Sequence, residues 1–345
     1  MWLTIGHESS IDMISRGVRS NRTSHSYLIT GVENVGKTTV ALDIARVANC
    51  FNVGSDGSPC SHCSQCCRIE SGNHTDVFMY DLEPASDESG RLSTTVTVDQ
   101  LRDDFLKQVH RKPYEGKKRV FIIAALERMG MAQSNMLLKT LEEPPDDVII
   151  ILLSSRDKGL LETIVSRCQL LNLKPVDDGI VREYIQQITK DGESIEEEIV
   201  RLARGRIGWA HKAVNQSGFF TDVKLSIDAI EIAMTGSLED KFAYSEELAR
   251  LFQKDRRLGG YALDYLLIWW RDVLLLVSGR QEEIFNISRR KKLEEVSVGL
   301  NLHQAAKAVG FVRTAEENLG SNVSPGIVCD DLMINLYQLD SLSAV

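Results

Sequence analysis

The chain has 345 residues, 43% of them hydrophobic and 26% charged, with a formal net charge of −9. That length allows about two or three domains and a sizeable core, and the composition is that of an ordinary globular protein. The acidic balance argues against a free-standing, electrostatically driven DNA binder, but not against a subunit whose partners supply the positive surface. The longest apolar candidate, Tyr265 to Val277, is broken by Arg271 and Asp272, so no membrane span is predicted. Residues Met1 to Glu8 lack a basic region followed by an apolar core, which argues against secretion and for a cytoplasmic protein.

The first element is a helix over Ser9 to Val18, followed by a polar turn. The preceding Ile5-Gly6-His7 reads as an ordinary loop, with lining an adenine pocket as the sharper alternative. A short β-like run, Ser26 to Ile29, then leads into Gly31-Val32-Glu33-Asn34-Val35-Gly36-Lys37-Thr38 and a helix-spaced stretch, Thr39 to Ala45. Strand, glycine loop and helix form the context that a phosphate-binding loop requires. The glycines let the backbone wrap an anion with its N–H groups inward, and the helix start adds partial positive charge. Lys37 offers a point charge to the outer phosphates, and the Thr38 hydroxyl is placed for Mg²⁺. Gly31, Gly36, Lys37, Thr38 and the adjoining Thr39 are therefore assigned to ATP or ADP with Mg²⁺.

Seven cysteines are present, and four crowd between Cys60 and Cys67. Cys60, Cys63 and Cys66 at two-residue intervals can turn their thiols toward one centre, and Cys50 can complete a tetrahedral set. Zinc in such a closed site is structural, since no coordination position remains for substrate. Cys67 and His62 are the alternates, with Cys67 read as the spare; unligated thiols and a redox pair are the weaker readings.

Asp76 to Tyr80 is predicted as a strand, Asp81 to Ser93 as an acidic loop, and Val98 to Leu106 as a helix with Asp99 as N-cap. Arg119 to Ala125 is a continuous apolar run, as a buried parallel strand requires. In P-loop NTPases this strand normally ends in an acid that holds Mg²⁺. Here the positions are Ala124 and Ala125, a pattern for binding nucleotide while hydrolysing it poorly. Glu127 is the nearest acid, read as an ordinary charge opening the next helix rather than a substitute. That helix, Met131 to Leu141, is stopped by Pro144 and Pro145. Val148 to Leu153 is another buried strand, and hydroxyls at its end face the ligand crevice of an open α/β sheet. Ser155 is thus a candidate γ-phosphate sensor, against the plain reading of a turn residue. A short strand, Gln169 to Leu173, precedes a boundary at Pro175. Beyond it the pattern is helical: Gly179 to Thr189, Ser194 to Ala203, Trp209 to Val214, and a bundle over about 219–345. Trp269 and Trp270 are read as core, and Arg289 to Lys292 as a solvated helix face.

Taken together, His25-Ser26-Tyr27, the cysteines at 50, 60, 63 and 66, His74 to Val77, Leu137 to Pro145 (LLKTLEEPP) and Ser166-Arg167-Cys168 carry a resemblance. The chain resembles the bacterial clamp-loader subunits of the AAA+ class, the delta-prime family of DNA polymerase III in particular. The resemblance runs through most of the chain. It implies an α/β AAA+ P-loop module with a parallel sheet over 1–174, a zinc module inserted at about 50–67, a helical lid over 175–218 and a helical collar over 219–345. It also implies that Arg167 is an arginine finger reaching a neighbour's ATP site, against the plain reading of a surface arginine paired with Glu162 or another acid. The active gamma/tau relatives carry acids where this chain has Ala124-Ala125, and a lid arginine where it has Gly208, with Arg206 close by. Asn322 to Pro325 resembles the turn before the last collar helix. The implied partners are gamma/tau and delta subunits in a hetero-pentamer, and through it the sliding clamp and primer-template DNA. The alternatives are an active gamma/tau-type ATPase using Glu127, and a nucleotide-sensing adaptor outside replication.

Overall fold

The computed structural model describes residues 1–82, 94–95, 98–129, 131–155, 160–189, 195–320 and 323–341. The predicted acidic loop up to Ser93, the start of the Ser194 helix and Asn322 lie largely or wholly outside them. The chain divides into two compact units, Met1–Tyr184 with Gly205–Trp209, and Ile185–Arg204 with Ala210–Val345.

In the first unit, β1 (Ser26–Thr30), β2 (Val77–Asp81), β3 (Thr94–Thr95), β4 (Arg119–Ala124), β5 (Val148–Ser154) and β6 (Gln169–Asn172) form one sheet. Its order is β3-β2-β4-β5-β1-β6 and every pairing is parallel. Parallel strands need crossovers, and helices supply them on both faces. These are α1 (Glu8–Arg19), α2 (Lys37–Asn49), α3 (Ser64–Glu70), α4 (Val98–Val109), α5 (Met131–Glu142) and the single turn α6 (Glu162–Val165). Because side chains alternate along a strand, one sheet serves two cores. Tyr27, Ile29, Val120, Ile122, Ile149 and Ile151 join α1 and α2 in one. Leu28, Phe121, Ile123, Ile150 and Leu152 join Leu101, Phe105, Leu137 and Leu141 of α4 and α5 in the other. This α/β arrangement, with the glycine loop at the C-terminal end of the inner strand β1, beside the edge strand β6, is that of an AAA+ P-loop module.

Helix α2 carries an ion pair through its middle. Arg46 and Asp43 are both fully buried, 2.7 Å apart, and Arg46 also donates to Ser61 Oγ at 2.8 Å. Asp43 accepts the backbone N–H groups of Leu3 and Thr4 and the Thr4 hydroxyl. The pair therefore ties the N-terminal segment and the cysteine loop to one helix. Arg46→Ala strands a buried carboxylate, so it is expected to cost about 3–5 kcal/mol in urea denaturation.

The helices α7 (Asp178–Ile188) and α9 (Ile207–Asn215) contribute residues to both units, and α8 (Ile195–Ala203) belongs to the second. There α10 (Phe219–Thr235), α11 (Leu238–Lys254), α12 (Arg256–Val277), α13 (Arg290–Ser297), α14 (Leu302–Leu319) and α15 (Pro325–Ser341) form a bundle. Capping boxes start α11 (Ser237 with Asp240) and α14 (Asn301 with Gln304), and a proline opens α15. Trp269 and Trp270 are buried in it, as expected. The basic run is a paired surface rather than a simply solvated one: Arg289 meets Asp228 and Glu231, Arg290 meets Glu294, and Lys292 meets Glu295. Among the described residues, no helix is long and apolar enough to cross a membrane.

Candidate functional site

The loop between β1 and α2 wraps closely on itself. Gly31 (φ 148°) and Gly36 (φ 118°) hold backbone conformations that a side chain resists, and a Cβ on Gly31 would lie 2.4 Å from the Leu173 carbonyl. Lys37, the first residue of α2, donates to the Gly31 and Val32 carbonyls at 2.7 and 3.0 Å and to Ser155 Oγ at 3.2 Å. Its ammonium is thus held over the mouth of the loop, with the strand-end hydroxyl beside it. Thr38 is exposed and Thr39 half-buried on the first turn of the same helix.

Two flanking segments grip this loop from outside. His7, in a left-handed conformation (φ 60°), places Nε2 3.1 Å from the Val35 carbonyl. Gly208 donates its backbone N–H to the Asn34 carbonyl at 2.8 Å. A Cβ at position 208 would sit 2.8 Å from that same oxygen, closer than real contacts allow. Glycine is what lets the start of α9 touch the loop. Gly208→Ala is expected to lower stability by about 1–3 kcal/mol by forcing the two backbones apart, measured by chemical denaturation. Arg206 lies with its guanidinium 5.8 Å from the centre of the Trp209 ring.

The end of β4 departs from the expected reading of Glu127. Ala125 takes a left-handed turn (φ 54°) into a short 3₁₀ segment, Leu126–Arg128, well before α5 begins. That turn swings Glu127 back across the sheet, where it accepts the Ser154 hydroxyl at 2.8 Å and the Ser155 N–H at 3.2 Å. Glu127 is therefore part of the strand-end network beside the lysine, not a plain charge opening a helix. Nearness in sequence marked the residue, but only the turn at Ala125 explains its reach.

Arg167 lies elsewhere. Its backbone carbonyl accepts from Ser26 Oγ, at the first residue of β1, whereas the phosphate loop follows the last. A five-residue strand, roughly 13 Å long between its end residues, separates them. The side chain is about one-third exposed and pairs with Glu142 Oε1 at 2.7 Å, rather than with Glu162. Glu142 lies within the LLKTLEEPP run, but nothing in the sequence pairs it with Arg167, because that contact depends on α5 ending beside α6.

The sulfur atoms of Cys50, Cys60, Cys63 and Cys66 lie within 4.8 Å of one another. Cys50 directly follows α2, and Cys66 is carried by α3. Cys67 is exposed and His62 bonds the Cys60 carbonyl, so neither joins the four. The N–H groups of Cys60 and Cys63 point at the sulfurs of Cys50 and Cys60 at 3.3 Å, donors that favour thiolate. Burial pushes the Cys50 and Cys66 thiols up. Burial also opposes ionisation of Cys60, but N–H donors from His62 and Cys63 bring it down to about 6. Four converging sulfurs, two of them held protonated by burial and by their cysteine neighbours, fit a soft divalent ion such as Zn²⁺.

A family model described as DNA polymerase III, delta subunit, matches residues 6–177. The chain is 24% identical over 328 residues to the DNA polymerase III subunit delta' of Bacillus subtilis, covering 94% of each. It is 30% identical over 246 residues to the tau subunit of Escherichia coli, covering 70% of this chain and 36% of that protein. It thus spans only about a third of that longer relative. Among solved structures, a gamma subunit-related protein of Thermotoga maritima aligns over 97% of this chain, with a TM-score of 0.47 and 16% identity.

Proposed function

Because the chain belongs to the delta'/gamma/tau family of DNA polymerase III clamp-loader subunits, we propose that it serves there as a delta-prime-type stator. In this reading it holds ATP or ADP with Mg²⁺ at Gly31, Gly36, Lys37, Thr38, Thr39 and Ser155 without turning it over efficiently. It donates Arg167 to the ATP site of a neighbouring subunit. Zinc at Cys50, Cys60, Cys63 and Cys66 staples the module, residues 175–218 act as the lid, and 219–345 as the collar. The partners are gamma/tau and delta subunits in a cytoplasmic hetero-pentamer that places the sliding clamp on primed DNA.

The observation that carries the reading is the separation of parts along the sheet. The lysine and loop sit at the C-terminal end of β1, and Arg167 is anchored at its N-terminal end. A guanidinium so placed is of no use to its own subunit's phosphates and is available to another's. The alanines at 124 and 125 leave the chain's own site without the usual carboxylates.

Glu127 supports the second reading, an active gamma/tau-type ATPase, because its carboxylate reaches the residue whose hydroxyl Lys37 holds. ATP turnover by the isolated chain separates the two, since the stator reading expects bound nucleotide with little hydrolysis. Rapid turnover by the isolated chain, or a mixed complex indifferent to Arg167→Ala, would sink it.

A further inference from the structure

We propose that Glu142 is a positioning residue that restrains Arg167 by competing for it with the neighbour's phosphate; this rests on the trans reading of Arg167 above. The guanidinium is held on two sides. One nitrogen pairs with Glu142 Oε1 at 2.7 Å, and the other donates to the Thr163 carbonyl at 2.9 Å. Both side chains border an open surface cavity of about 510 Å³, lined also by His25, Leu141 and Ser166. Among these lining residues Glu142 supplies the one carboxylate.

The position of that carboxylate is the telling feature. Glu142 is the last residue of α5, with Glu143 next to it, so two acids sit where the helix already carries partial negative charge. Such an end favours cations: Lys139 lies in the same last turn, and Arg167 is the one paired with Glu142. A triphosphate arriving in the cavity brings more negative charge to the same place. The guanidinium must leave Glu142, or share itself, before it can serve the phosphate.

The size of the effect decides between restraint and rigid alignment. Glu142 is about half exposed and Arg167 about one-third, so solvent screens the pair and the chain is free to move. A contact of this strength shifts an equilibrium by about two- to fivefold and does not lock a geometry. Restraint therefore appears as a higher ATP requirement, not as a lower maximal rate.

The test uses the complete clamp-loader complex assembled with this chain, its ATP turnover measured across ATP concentration. Glu142→Gln keeps the shape and removes the charge. It is expected to lower the half-saturating ATP concentration about two- to fivefold with kcat unchanged. Glu143→Gln, at an exposed position without a described partner for the finger, serves as the control and is expected to change neither. A fall in kcat, or an unmoved half-saturation, overturns the restraint. Arg167→Ala in the same assay keeps the failures apart. If it abolishes the dependent turnover while Glu142→Gln does nothing, the finger stands and the restraint falls; if it has no effect, both fall.

Discussion

Replacing Cys66 with serine is expected to release the proposed zinc and to unfold the whole N-terminal unit, not merely to loosen one loop. The thiol is fully buried, on a seven-residue helix whose Ile69 packs into the core beside α2. Structural zinc sites contribute about 10 kcal/mol or more of binding free energy to folding. A domain's entire stability is about 5–15 kcal/mol, so the loss is comparable with the whole. The damage spreads because the cysteine loop is joined to the P-loop helix at two places, Cys50 at its end and Ser61 against buried Arg46. One zinc per chain is expected by elemental analysis of the wild type, and Cys66→Ser is expected to show none and a strongly reduced urea midpoint. Cys67→Ser, at an exposed thiol outside the four, should alter neither. Protons compete with metal for thiolate, so zinc is held less tightly as pH falls. An unchanged urea midpoint in metal-free Cys66→Ser would show that the four thiols do not staple the unit.

How far the sequence reveals these parts depends on the range of the interaction that sets them. The phosphate loop and the four cysteines are legible because local order creates them: strand, glycine and helix in one case, regular thiol spacing in the other. The buried strands β4 and β5 announce themselves as unbroken apolar runs for the same reason. Glu127 reads in the sequence only as the nearest acid, since its reach comes from a left-handed alanine that no propensity favours. Gly208 could be matched to a missing arginine, but the reason for glycine is a backbone contact with Asn34 far away in sequence. Glu142 is visible only as a member of the LLKTLEEPP run, not as the partner of Arg167. Its meaning comes from a helix end meeting a turn across the fold, and periodicity carries no information about that.

Arg167→Ala is expected to depress hydrolysis at the neighbouring site by about 10³-fold or more, the range for an arginine supplied in trans. The chain itself should fold as before. The side chain is about one-third exposed, and its ion pair with Glu142 is worth about 0–1 kcal/mol at such a surface. The asymmetry follows from where each interaction is made. In the isolated subunit the guanidinium faces solvent and a carboxylate, both of which screen it. In the proposed interface it would face charge developing on a transferred phosphoryl group, where water is excluded and a fixed cation acts far more strongly. Arg167→Lys should recover little, because an ammonium lacks the planar fork that can bond two phosphoryl oxygens at once. The measurement is single-site turnover in the assembled complex, with thermal melting of the free subunit as the control. A variant that melts normally yet leaves that turnover intact would show that the cation at the far end of β1 faces no one's phosphate, and the stator would lose its purpose.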